Sequence, residues 1–174
     1  MLNHAIMWIT LLVPWLSFVF LSKETLRRYM PVTILTALLM TIYDEIAIDA
    51  TDWIVIHQNL VPFTAFIPLI HGAFVGSTMW IFSLTYGRFW RYFLTNVICD
   101  FVFMFVFSLF YEWRGFYSFV DRSRFWIYVD LVLLSVVIYG YQQWQEKIMN
   151  PDAATPRRSS SGGGLEWGIR RKAR

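Results

Sequence analysis

The chain has 174 residues, 57% of them hydrophobic, 20% aromatic and only 16% charged, with a formal net charge of +3. Soluble domains carry about 25% charged residues, so this composition excludes an ordinary soluble domain and points to a bilayer. The one cysteine, Cys99, excludes an intramolecular disulfide and carries no information about compartment.

A helical span needs roughly 20 mostly apolar residues, rising about 1.5 Å each, to cross about 30 Å of hydrocarbon. Five runs qualify. The first, HAIMWITLLVPWLSFVFL (4–21), lacks the basic flank and the small-residue cleavage site of a signal peptide, so it is expected to remain as a span. The second, PVTILTALLMTIYDEIAI (31–48), opens on Pro31, tolerated in a first turn because its missing N–H would have no helical partner there. It runs directly into four carboxylates, Asp44, Glu45, Asp49 and Asp52, with no basic residue beside them. The third run covers 62–84, the fourth 92–111 and the fifth 126–144. The expected fold class is therefore all-α, a polytopic membrane helix bundle of five transmembrane helices over residues 1–148.

Lysine and arginine are retained on the cytoplasmic side of a membrane, and their counts alternate along the chain. The first loop holds Lys23, Arg27 and Arg28, the third Arg88 and Arg91, and the C-terminal region seven more. The second loop has none, and the fourth has Arg114, Arg122 and Arg124. This places the N-terminus outside and the C-terminus in the cytoplasm. Arg-Phe-Trp occurs at 88–90 and at 124–126, each time where a run begins; Trp53, Trp113 and Trp144 are further expected interfacial anchors.

Polar groups at membrane depth are expensive and by default face protein, so Asp44, Glu45, His71, Asp100 and Asp130 are the residues of interest. At about 1.5 Å per residue, Asp44, His71 and Asp130 all fall in the outer half, where they define a candidate cation, proton or divalent-metal site. The competing reading gives each a structural partner, Asp130 with Arg122 or Arg124, while Asp100 has Asn96 one turn below. The acid run offers a second expectation. Like charges at Glu45, Asp49 and Asp52 repel along a helix, so helical geometry should end after Ile48 or the acids should recruit Arg114, Arg122 and Arg124. In that arrangement the second and fourth loops dock outside the membrane and Asp44 turns inward. Gly72 and Gly76 in PLIHGAFVG have the spacing of a close helix contact, within the chain or with a second copy.

No HExxH, phosphate-binding glycine loop, cysteine pair or nucleophile elbow is present, and the single acid cluster falls short of the two that intramembrane prenyl transferases use. No catalytic residue and no cofactor is expected, and no nucleic-acid partner. Residues 149–174 change to Pro, Ser, Gly and Arg, the composition of a disordered basic tail drawn to anionic headgroups of the cytoplasmic face. Within it, SSSGGGLE resembles a cloning linker.

The loop LSKETLRRYMP, the acid-ended second run, the entry GRFWRYFLTNVI and the ending QQWQEKI together resemble a family of small uncharacterised multi-pass integral membrane proteins of spore-forming Bacillota. The likeness covers about residues 5–148. It implies a bacterial plasma membrane or spore membrane and transfers no site. The expected function is that of a non-enzymatic structural, assembly or accessory subunit, with the bilayer, a membrane partner protein or a second copy as partners. The alternative is a small transporter or cation- or proton-binding protein using Asp44, His71 and Asp130.

Overall fold

The computed structural model describes residues 1–149 apart from positions 52, 63 and 64. The expectations for Asp52 and for the tail lie outside the described residues. The chain is mostly helical, with four long apolar helices, α1 (Leu2–Phe20), α2 (Lys23–Ala50), α4 (Phe89–Trp113) and α5 (Arg124–Met149), each long and apolar enough to cross a membrane. Between them lies the shorter apolar helix α3 (Leu69–Thr85).

Two boundaries differ from the apolar runs, for local reasons. Helix α2 starts at Lys23 rather than Pro31, because the Ser22 hydroxyl accepts the Thr25 N–H at 3.1 Å and Glu24 occupies the first turn, a complete start signal. KETLRRYM is thus helix, and Pro31 lies inside it, leaving the carbonyl of exposed Arg27 without its i+4 N–H partner. Helix α3 starts well after Pro62, near Pro68, because the chain bends at Ala65, whose carbonyl accepts the Ile67 N–H at 2.9 Å, and Phe66 gives its N–H to the Asp44 carboxylate at 3.2 Å. Three of the helices contain a π-helical turn, at Ile46–Ala50 in α2, Leu69–Phe74 in α3 and Phe103–Phe107 in α4.

Successive helices run in opposite directions. Arg28 meets Glu146 at 2.5 Å and Tyr29 stacks edge-on against Tyr86, so the first loop, the third loop and the end of α5 share one end of the bundle. The α3–α4 reversal there turns on Gly87, at φ +91°, a conformation that glycine adopts at little cost. At the opposite end Asn3 donates to Gln58 at 2.9 Å and to the Arg114 carbonyl at 3.2 Å, which gathers the N-terminus with the second and fourth loops.

Those two loops add an element absent from the all-α expectation. Strand β1 (Ile54–Ile56) pairs antiparallel with β2 (Tyr117–Phe119), in the register Ile54 to Phe119, Val55 to Ser118 and Ile56 to Tyr117. β-Branched and aromatic residues suit a pleated, half-buried ribbon, but the pairing joins segments from opposite halves of the chain and has no local signature.

Below this ribbon the core falls into two stacked clusters. The one nearer the ribbon includes Met40, Trp53, Phe66, Met104, Tyr111, Phe116 and Tyr117. The one farther from it includes Tyr29, Val32, Met79, Phe82, Tyr92 and Tyr139. Around them the outward faces stay apolar, with Ile9, Leu12, Leu16, Ile34, Leu38, Leu94, Ile98, Leu133 and Val137 all exposed.

Helices α1 and α3 approach closely at Gly72 and Gly76. A Cβ on Gly72 would overlap the Thr10 carbonyl oxygen and lie 2.7 Å from the Leu11 Cα; one on Gly76 would overlap the Pro14 side chain. The GxxxG spacing therefore serves contact within the chain. Trp15 Nε1 reaches the His71 carbonyl at 2.7 Å and Trp80 Nε1 the Ser17 hydroxyl at 2.8 Å, clamping the crossing on both sides.

Candidate functional site

The acid run ends helix α2 by widening it. The π-helical turn over Ile46–Ala50 is closed by the Thr51 hydroxyl on the Ile46 carbonyl at 2.8 Å and by the Trp53 N–H on the Ala47 carbonyl at 3.0 Å. Asp49 is exposed on the rim of an open depression formed with residues of β1 and the segment after it. Glu45 is half-buried, and no ion pair of the described residues involves Glu45 or Asp49. Asp44 turns inward, holding the Phe66 amide and lining a small cavity of about 40 Å³ beneath the ribbon.

The second and fourth loops meet through the ribbon, and the three arginines take partners nearer their own helix ends. Arg122 pairs with Asp130, while its guanidinium lies 4.8 Å over the Trp53 ring. The same Asp130 oxygen accepts the Tyr43 hydroxyl at 2.9 Å. Asp130 thus ties α2 and α5 to the fourth loop, and Arg122 over Trp53 joins the second loop to the same latch. Arg124 pairs with Glu112, donates to Ser108 Oγ at 3.1 Å and lies 5.3 Å over the Phe119 ring, linking α5, α4 and β2. Arg114 donates to Asn3 Oδ1. An arginine stacked on an aromatic face while bridging a carboxylate gains both contacts with one preorganised plane.

Trp53 departs from its expected interfacial place: it is buried, with Tyr43 edge-on at 5.6 Å. Trp90, Trp113, Trp126 and Trp144 remain exposed at helix ends. In the ribbon, burial pushes the Tyr117 phenol above its ordinary pKa. Tyr43, Glu112, Ser108 and Asn3 are latch residues that the sequence did not single out. Glu112 carried a faint signal, as the one acid at the outer end of the fourth run.

Asp44, His71 and Asp130 each hold a separate position. Asp130 is committed to Arg122 and Tyr43 and Asp44 to the Phe66 amide, while His71 sits in the π-helical turn of α3 with Nδ1 buried and unpartnered among the described residues. Among the described residues no group of three histidine, cysteine, aspartate or glutamate side chains gathers as a metal ion would require.

A larger cavity, about 350 Å³, lies at mid-depth between the two core clusters, walled by α2, α3, α4 and α5. Asp100 is on its wall with Oδ2 buried and without a hydrogen-bond partner among the described residues. Asn96, the expected partner one turn away, instead gives its amide N–H to the Tyr92 carbonyl at 2.9 Å. The π-helical turns of α3 and α4 bring Phe74 and Phe103 together at 5.0 Å over this cavity.

The chain matches no family model, no curated protein and no solved structure.

Proposed function

We propose that the chain is a five-span integral membrane protein of a bacterial plasma membrane, N-terminus outside, that serves as a non-enzymatic accessory or assembly subunit. Four helices of spanning length and an outward surface of aliphatic side chains support the membrane placement, since water would face far more apolar surface than soluble proteins expose. The excess of basic residues at the end that carries Arg28 and Arg88 supports the orientation.

The observation that carries the subunit reading is the use of charge in the outer half. Asp130 is engaged by Arg122 and the Tyr43 hydroxyl, and Glu112 by Arg124, which also donates to Ser108, so both acids lock the outer ribbon to the bundle rather than hold an exchanging ion. A transporter built on Asp44, His71 and Asp130 would need those pairs to open in each cycle. Proteoliposomes holding the purified chain test this directly. No proton or divalent-cation flux above that of empty vesicles is expected. Chemical crosslinking in native membranes should give one discrete adduct with another membrane protein or a second copy. Flux that is lost in Asp130→Asn and His71→Ala would replace the subunit reading with the transporter.

A further inference from the structure

The mid-depth cavity has a chemical bias that its composition conceals. Its wall carries several polar groups, and the hydroxyl hydrogens of Thr36, Ser77, Ser135 and Tyr92 are committed inside the wall. The Thr36 hydroxyl donates to the Val32 carbonyl at 2.9 Å, Ser77 to Phe74 at 3.1 Å and Ser135 to Val132 at 2.7 Å, each back along its own helix. The Tyr92 hydroxyl donates across to the Ser135 carbonyl at 2.9 Å, and Asn96 donates to Tyr92. What these four hydroxyls can still offer a guest is lone pairs, and the donors left on the wall are the Thr78 hydroxyl and the second Asn96 N–H. To those lone pairs Asp100 adds a carboxylate with one buried oxygen unpartnered among the described residues.

A space with apolar walls, unused acceptors and one carboxylate is complementary to a guest with the opposite inventory, namely a positive charge, N–H donors and an apolar body. We infer that the cavity between α2, α3, α4 and α5 is a binding site for a small lipophilic primary ammonium compound, with Asp100 as its counter-ion. Three features agree with that guest. Its ammonium group bonds to the carboxylate and to neighbouring acceptors such as Asn96 Oδ1, relieving an uncompensated polar atom at a depth where water cannot do so. Its hydrocarbon part fills the space between Phe74, Phe103 and Leu131. Its route is lateral: Ser77, Ile98 and Cys99, on facing sides of α3 and α4, are exposed at the cavity mouth, so a compound already partitioned into lipid enters without crossing the ribbon or the opposite loops. This route and the exclusion of water from Asp100 rest on the membrane placement proposed above. The Asp130 and Glu112 latches are not involved.

The test uses the full chain in phosphatidylcholine nanodiscs, with 1-aminoadamantane as the amine, 1-adamantanol as its neutral isostere and the adamantyl trimethylammonium ion as a cation without N–H donors. Cys99 lines the cavity and is the chain's one cysteine, so its alkylation by N-ethylmaleimide reads occupancy. With amine at ten times its Kd, alkylation should slow about tenfold, in proportion to the unoccupied fraction. The alcohol should have no effect and the quaternary ion a weaker one, and Asp100→Asn should abolish protection by the amine. The melting temperature provides a second reading that does not depend on thiol chemistry: the amine should raise that of the wild type and leave that of Asp100→Asn unchanged. Equal protection by amine and alcohol, equal protection by amine and quaternary ion, absence of any amine effect on either reading, or protection retained in Asp100→Asn would each overturn the proposal.

Discussion

Gly72 lies against the carbonyl oxygen of Thr10, so closely that a side chain of one carbon would overlap it. That carbonyl is the one whose helical partner would be the N–H of residue 14, and residue 14 is proline. That oxygen of α1, lacking its i+4 partner, is covered by the bare backbone of α3, where a Cα–H can take up part of the missing interaction. Pro14 and Gly72 are therefore two halves of one contact.

Replacing Gly72 with alanine should cost about 1–3 kcal/mol, since backbone rather than a flexible side-chain end must move. Gly76→Ala should act in the same direction through Pro14. Gly140 is the control: it is exposed in α5 with nothing near its Cβ position, so Gly140→Ala should be neutral or gain up to about 1 kcal/mol from helix propensity. Thermal denaturation of the three variants in one detergent checks the order. Equal losses at Gly72 and Gly140 would remove the contact from the account.

The Arg122–Asp130 latch is half-buried, which places the loss from Arg122→Glu at about 2 kcal/mol, between exposed and fully buried pairs. Exchanging the two residues, Arg122→Asp with Asp130→Arg, should recover part of it. Tyr43→Phe removes one hydrogen bond from the same carboxylate and should cost about 1 kcal/mol. Changing Asp49, which has no ion pair among the described residues, should leave stability unaltered; the same denaturation measurement separates the cases.

The ribbon makes a covalent prediction. Val55 and Ser118 face each other across the antiparallel pair, where opposed Cα atoms are about 4.5–5.5 Å apart and within disulfide reach. In a Cys99→Ser background, Val55→Cys with Ser118→Cys should crosslink within one chain on mild oxidation, giving a faster-migrating monomer band that reductant reverses. A pair displaced to Val55 and Asp121 should form less. Crosslinks found only between chains would place the two loops apart.

Threading is read by accessibility. In the same background a membrane-impermeant maleimide added to intact cells should label Asp121→Cys and spare Ser22→Cys until the membrane is opened. The reverse pattern would invert the orientation.

The apolar runs and the alternation of basic residues already contained where the apolar helices lie along the chain and which loops share an end, because each follows from local composition; the lengths of α2 and α3 did not follow from it. Pro68 and the Ser22 cap were also present in the sequence, although hydropathy alone placed the starts of α2 and α3 elsewhere. The partners of the buried charges were not. Asp130 could have met Arg122 or Arg124, Asp100 could have met Asn96, and Asp44 had no named partner, since each of these choices depends on helix rotation and on the π-helical turns that re-aim side chains. Only tertiary packing joined 54–56 to 117–119, set Gly72 on the Thr10 carbonyl and left Asp100 facing a cavity with one buried oxygen unpartnered among the described residues. Contacts between distant segments depend on how the helices pack together, and a linear pattern encodes the apolar face of each helix without encoding which other face it meets.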